Sequence, residues 1–188
     1  GVMCWGSGYA AGTVSRNATW PNFVETFGAG STVLGTIAAG YDFACAIVAS
    51  STTLKCWGSN GYGQLGNGNT TSSYSPVSTG LTGVTIIGLS SAAQGGCAIG
   101  AGGTPNCWGY NGQGQIGDGT TTSRSSPVAI TGIANSVTAI VAGDYNSCLI
   151  HSGTLKCSGS NDWGQLGIGT TVTPYNTYQT TTTIGVAS

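Results

Sequence analysis

Charge is what this sequence has least of. Asp, Glu, Lys and Arg make up only 5% of its 188 residues, against roughly 25% in ordinary globular chains. The basic residues are Arg16, Lys55, Arg124 and Lys156, and the acidic ones Glu25, Asp42, Asp118, Asp144 and Asp162, for a formal charge of -1. That balance leaves no basic stripe for nucleic acid or an acidic membrane surface. Histidine is almost missing as well. His151 stands alone in a predicted turn, with no Ser or Cys nucleophile in a motif beside it, so triad chemistry has no footing. No pair of carboxylates recurs at a shared place, which removes the usual glycosidase arrangement. No apolar run approaches the roughly 18 residues of a membrane span. No segment sustains a 3.6-residue period with caps, so helices are not expected. A leader peptide and an initiator Met are also lacking. The chain opens at Gly1 in mid-repeat and reads as a mature product or as a window cut from something longer.

What is present is glycine, hydroxyl and aromatic residues in a repeating order. Disordered chains combine low hydrophobicity with high net charge. Here hydrophobic residues are 39%, with five Trp and eight Tyr, which predicts a folded β protein with a Thr/Ser/Asn surface. The stretch from Leu54 through Cys56-Trp57-Gly58-Ser59-Asn60-Gly61-Tyr62-Gly63-Gln64-Leu65-Gly66 to Gly68 recurs from Asn106 to Gly119 and from Leu155 to Gly169. A worn copy, Met3-Cys4-Trp5-Gly6-Ser7-Gly8, opens the chain. The repeated cysteines stand at positions 4, 56, 107 and 157, giving steps of 52, 51 and 50. Steps of this length mark propeller blades or solenoid units.

Three further cysteines precede the repeated ones. Cys45, Cys97 and Cys148 lie 11, 10 and 9 residues before Cys56, Cys107 and Cys157. A short turn separates each pair, so each spacing reads as a β-hairpin. Facing cysteines on a hairpin reach bonding distance. The spacing therefore predicts Cys45–Cys56, Cys97–Cys107 and Cys148–Cys157 bridges, each worth ~2–3 kcal/mol in the chain-entropy view. Cys4 is left without an upstream strand, to stand unpaired or to link to another chain. Rival readings are small buried thiols in a reducing compartment, or a zinc site. The latter lacks Cys-x-x-Cys spacing and has a single His to draw on. Regular pairing points instead to an oxidising, extracytoplasmic setting.

Each cycle offers about four short segments rich in Val, Ile, Thr and aromatics, separated by Gly/Asn/Ser turns. Four strands per fifty or so residues is the arithmetic of a propeller blade. The expected fold is all-β: blades of four antiparallel strands, about 3.5–4 repeats of ~51 residues, forming a partial propeller or part of a larger ring or array. Residues 1–188 form a single repeat domain with units at approximately 1–30 (partial), 31–82, 83–133 and 134–188 (incomplete). Residues 1–8 are expected to be the last strand of their unit.

The Trp-Gly-x-Asn-x-x-Gly-Gln-Leu-Gly-x-Gly pattern at 57–68, its two later copies, Ser75-Pro76-Val77, and Ala39-Gly40 followed by Cys45-Ala46-Ile47 resemble the regulator of chromosome condensation repeat family, in a disulfide-containing form like that of secreted bacterial members. The resemblance covers nearly the whole chain, weakly over residues 9–32. It implies four-stranded blades, normally seven around an axis. The His that the family usually carries two residues before the Cys-Ala-Leu-like position is replaced by Phe43, Gly95 and Asn146. The chain also holds under four blades' worth of residues. The family's founding activity, guanine-nucleotide exchange on a small GTPase, goes with a nuclear, reducing setting and charged chromatin contacts, both opposed by this composition.

Several motifs have plainer readings than their first appearance. Gly61 to Gly66 and Gly112 to Gly117 match Gly-x-Gly-x-x-Gly, but a dinucleotide loop needs a helix behind it. Tight inter-strand turns explain the glycines. Gln64, Gln115 and Gln165 are expected to satisfy loop backbone groups, and Trp57 and Trp108 to pack between blades. The Asp118-Gly119 and Asn67-Gly68 turns lack the alternating acidic ligands of a calcium loop. No metal and no cofactor is expected. Trp20, Tyr62, Tyr110 and Trp163 are the candidate ligand-facing aromatics. Asn17 and Asn69 open glycosylation sequons.

The function these features predict is a non-catalytic, secreted or cell-surface scaffold that binds a protein partner or copies of itself, without nucleic-acid binding or membrane insertion. The alternatives are a carbohydrate-binding module and, by the same resemblance, a propeller-type inhibitor. The latter follows secreted bacterial propellers that cap β-lactamases.

Overall fold

The computed structural model describes residues 2–7, 17–24, 33–48, 52–89 and 93–182, and only the backbone course of those up to residue 36. The strands form one two-stranded and three four-stranded antiparallel sheets. The pair is β1 (Val2–Ser7) and β2 (Asn17–Val24). The first blade contains β3 (Val33–Ala39), β4 (Phe43–Val48), β5 (Thr53–Gly58) and β6 (Ser73–Ser78). The second contains β7 (Ile86–Gly88), β8 (Gly95–Ile99), β9 (Pro105–Gly109) and β10 (Arg124–Ala129). The third contains β11 (Val137–Ala142), β12 (Asn146–His151), β13 (Thr154–Gly159) and β14 (Tyr175–Thr180). In each blade the strands are neighbours in chain order, an up-and-down meander. A short 3₁₀ turn, Ala101–Gly103, joins β8 to β9.

One expectation changes. β1 is not the last strand of its sheet: it pairs with β2, so the Cys-Trp-Gly strand is followed by an outer strand here as in every blade. Trp20-Pro21 lies in that outer strand. The divergence of residues 9–30 hid it.

The central hairpin is the most regular part of each blade. Cys45 faces Cys56, Cys97 faces Cys107 and Cys148 faces Cys157 in strand register. Each pair is joined by a disulfide with Cα atoms 4.1 Å apart. Small, flat, apolar bridges of this kind let another sheet pack closely on top. The cores accordingly lie between blades rather than within them. One joins Phe43, Ile47, Leu54 and Leu65 of the first blade to Val84, Ile87, Ala98 and Trp108 of the second. The other joins Ile99, Ile116 and Ile130 of the second to Val137, Ile140, Leu149 and Tyr178 of the third. No strand is buried by its own blade alone, which is why such repeats are stable only in stacks.

The turn between the third and fourth strands locks each blade to the next. In the first blade Gly63 (φ +81) lies so close to Ser125 in β10 that a Cβ would stand 2.5 Å from the Ser125 Cα. In the second, a Cβ on Gly114 (φ +76) would stand 2.7 Å from the Asn176 Cα in β14. Both the positive φ and the approach exclude a side chain.

Candidate functional site

The long third-to-fourth-strand turns are built around one buried Asn each. The Asn60, Asn111 and Asn161 side chains are fully buried. Their Oδ1 atoms accept the N–H of Leu65, Ile116 and Leu166 at 2.9, 2.9 and 3.0 Å. Their Nδ2 groups donate across the turn, to the carbonyls of Asn69, Thr120 and Thr170 at 3.0, 3.0 and 2.7 Å. The glutamine two residues before each Gly-x-Gly exit caps the tip. Gln64, Gln115 and Gln165 each accept, through Oε1, the N–H two residues earlier. Gln115 also donates to the Asp144 carbonyl of the next blade at 3.1 Å. The turns are thus held rigid from inside, leaving their tips free to present side chains.

In a meander, the first-to-second and third-to-fourth connections emerge at one end of the sheet. At that end the structure assembles a row of aromatic rings across three blades. Tyr62 in the first blade and Tyr110 in the second have ring centroids 5.1 Å apart, edge to face. Tyr110 meets Tyr145, in the β11–β12 connection of the third, at 6.3 Å in the same manner. Such edge-to-face pairs fix ring orientation. Tyr41 and Trp163 are exposed at the same end, the indole 90% so.

Beside the row, a narrow crevice with a volume of only about 10 Å³ lies between the second and third blades, lined by Tyr110, Gln115, Asp144, Asn146 and Ser147 among others. Burial raises the Asp144 carboxyl above its ordinary range, and a hydrogen bond from Tyr145 offsets this only in part. A partly desolvated carboxylate between tyrosines favours a polar or cationic group arriving from outside. Asp118, further out, behaves in the opposite way. Burial would raise its carboxyl, but the Thr120 hydroxyl, Arg124 and the Thr120 N–H more than offset that and lower it. Its 2.6 Å ion pair with Arg124 ties down the base of the second blade's turn.

Of the aromatic candidates read from the sequence, Tyr62 and Tyr110 come together and Trp163 stands separately in the third blade's turn. Trp20 lies in β2, with its side chain outside the described residues, as do those of Asn17 and Cys4. Asn69 is exposed, and its Oδ1 accepts the Thr71 N–H at 2.8 Å. Trp108 is buried between blades, donating its indole N–H to the Gln64 carbonyl at 2.8 Å. Tyr145, Tyr41 and Asp144 were not anticipated. They sit in the first-to-second connections, where the repeat has no shared pattern. Among the described residues no cluster of three or more His, Cys, Asp or Glu is placed to hold a metal ion.

Comparison with known proteins places this geometry. Prp20p of Saccharomyces cerevisiae, a structure described together with its binding to Gsp1p and histones, superposes with a TM-score of 0.80 at 18% identity. The match covers 97% of this chain and 47% of that one. Yeast RCC1 (Prp20) in its complex with Kap60 gives 0.77 at 19% identity, over 94% and 43%. Human WBSCR16 gives 0.72 at 17%, over 93% and 44%. The chain therefore spans less than half the length of each of these relatives, and what it shares with them is the β-propeller fold. The regulator of chromosome condensation (RCC1) repeat matches residues 56–99 and 107–150, and a second form of that repeat matches 36–64. Together these matches take in more than half of the chain, which belongs to the regulator of chromosome condensation (RCC1) repeat family.

Proposed function

We propose that this chain is a non-catalytic scaffold that holds its tyrosine-lined end against a protein partner, in a secreted or cell-surface setting. The observation that carries the reading is the Tyr62–Tyr110–Tyr145 row. Three amphipathic rings, one from each blade, are oriented by contact with one another, and two of them, Tyr62 and Tyr110, stand on turns fixed by buried Asn residues. Tyrosines so held lose little entropy on binding and supply both area and a hydroxyl, which is why they anchor interfaces. Protein partners are also what the yeast relatives are described as binding. The three cross-strand disulfides support the oxidising compartment. A propeller-type inhibitor is the special case in which the partner is an enzyme.

A photo-crosslinking residue at Tyr62, compared with one at His151 on the opposite end, tests this in medium from the source cells. The expected result is a discrete adduct from position 62 alone. Excess unlabelled protein should compete it away, and the Tyr110→Ala/Tyr145→Ala variant should not. Equal labelling from both ends, or equal competition by the variant, overturns the reading. The carbohydrate-binding alternative has its own observation in the 90% exposed indole of Trp163. Glycan-array binding that is lost in Trp163→Ala and kept in Tyr110→Ala would assign the site to a glycan.

A further inference from the structure

The first-to-second connections of the first and third blades are the same backbone turn. The Gly40 N–H donates to the Phe43 carbonyl at 2.8 Å, and the Gly143 N–H to the Asn146 carbonyl at 2.7 Å. The Asp42 carbonyl accepts the Ser59 N–H, and the Tyr145 carbonyl the Ser160 N–H, both at 2.8 Å. Tyr41 and Asp42 therefore hold the places of Asp144 and Tyr145. Each turn carries one carboxylate and one phenol, in opposite order. In the second blade the corresponding bond runs from the Tyr110 N–H to the Gln94 carbonyl at 3.0 Å, and Tyr110 supplies the ring. These places are open even where a following blade is present. Tyr41 is 68% exposed although its N–H reaches the Ala93 carbonyl of the second blade.

Charge is sorted between the two ends. Among the described residues, all four carboxylates lie at the tyrosine-lined end: Asp42 and Asp144 in first-to-second connections, Asp118 and Asp162 in third-to-fourth turns. Arg124, at the start of β10, is the cation placed there, and its ion pair with Asp118 neutralises it. Lys55 and Lys156 face Ser78 and Thr180, the final residues of β6 and β14, and His151 ends β12. Those three groups lie toward the other end. Four carboxylates against one guanidinium leave three unmatched at the tyrosine-lined end, although the chain as a whole is close to neutral.

We infer that the tyrosine-lined end takes a basic patch of its partner, with an arginine or lysine seated on the Asp144 carboxylate beside Tyr110 and Tyr145. The inference rests on the reading of the tyrosine row as a protein-binding surface and names the chemistry that surface recognises. Asp144 and Tyr110 line the same crevice, and Tyr145 hydrogen-bonds to the carboxylate. The two rings meet edge to face, with centroids 6.3 Å apart. A carboxylate offers a guanidinium its acceptors, and a neighbouring ring face attracts the same cation. Asp42 beside Tyr41 repeats the pairing on the first blade. An acidic partner would face three carboxylates at this end with no unpaired cation among the described residues to receive it. An apolar partner would strip water from Asp144 and return no hydrogen bond.

Fluorescence anisotropy on the whole chain tests this with two labelled peptides of equal length, one alternating glycine with arginine and the other glycine with glutamate. The arginine peptide is expected to bind at least ~10-fold more tightly in dilute salt. That preference should vanish between about 0.01 M and about 1 M salt, as the screening length falls from about 30 Å to about 3 Å. Asp42→Asn/Asp144→Asn is expected to weaken arginine-peptide binding by at least ~10-fold while keeping the wild-type circular dichroism. Should this variant unfold, a photo-crosslinking residue in the otherwise unaltered chain decides: position 62 must label the arginine peptide and position 151 must not. Equal binding of the two peptides overturns the inference. So does an arginine preference that survives the Asn substitutions, or labelling that is equal from both ends. The inference and the reading beneath it fail separately. A partner adduct at position 62 that excess arginine peptide does not displace overturns the basic patch and keeps the protein-binding surface. An arginine preference without any partner adduct keeps the cation seat and overturns the protein partner.

Discussion

Ser158 stands where the first two blades carry Trp57 and Trp108, yet the interface it belongs to is filled. Tyr178 explains how. It precedes Gln179 in β14, as Pro76 and Pro127 precede Val77 and Val128, and those residues face Cys157, Cys56 and Cys107 respectively. Its ring lies over Gly117 as the Trp108 ring lies over Gly66. Its hydroxyl meets that of Ser147, while Ser158 donates to the Gly114 carbonyl of the second blade at 2.8 Å. Burial pushes the Tyr178 phenol up, so it remains a neutral hydroxyl. Two positions on neighbouring strands have thus exchanged a Trp/Pro pair for Ser/Tyr while preserving volume. The perturbation that tests this is to restore the ancestral-looking pair. Tyr178→Pro alone removes a buried ring and should cost ~3–5 kcal/mol, the range for large aromatic truncations. Ser158→Trp alone forces an indole into occupied space and should cost ~1–3 kcal/mol. If the two side chains compete for one volume, the double variant must be more stable than the sum, by a coupling of at least ~2 kcal/mol. Guanidinium unfolding of the four proteins, disulfides intact, followed by circular dichroism, measures the cycle. Additive losses would refute the argument, since they would mean that Tyr178 and a tryptophan at 158 occupy separate places.

Two other outcomes follow from the same geometry. The disulfides close loops with sequence separations of 11, 10 and 9, each worth ~2.5–3 kcal/mol by chain entropy. Their sum is comparable to the ~5–15 kcal/mol that stabilises a typical domain. Reductant should therefore unfold the chain at a temperature where the oxidised form is intact, and unchanged melting after complete reduction would contradict this. Asp118 sets an acid limit. Its folded carboxyl is lowered below the unfolded value of roughly 3.9. Its contribution is therefore fully present above that value and is lost as pH falls through the lower, folded one. Arg124→Ala should lower the melting temperature of the wild type at neutral pH and converge with it in strong acid. A constant difference from pH 7 down to pH 2 would rule out this linkage.

The scaffold was legible in the sequence because its causes recur. The facing cysteines, the buried Asn of each turn and the Gly-Gln-Leu-Gly exit meet the same demand in every blade, so each is written at the same place in each copy. The parts that resisted are those in which one blade solves a problem by itself. Tyr178 sits where its repeat mates hold proline, and nothing in the sequence ties it to the missing tryptophan at 158. Tyr41 and Tyr145 occupy neighbouring rather than equivalent positions in the first-to-second connections. The meeting of Tyr145 with Tyr110 depends on how successive sheets rotate about the stack.

That contrast separates what holds this molecule together from what it offers outside. A side chain that must fit between blades is constrained by an identical neighbour, so the repeat preserves it: Leu65, Ile116 and Leu166 are buried and nearly isosteric. A side chain at a turn tip has no such neighbour, and Tyr62, Gln113 and Trp163 differ across the same three places although each donates its N–H to the glutamine two residues on. The backbone of the tip is therefore conserved by the scaffold while its side chain is free to answer to a ligand.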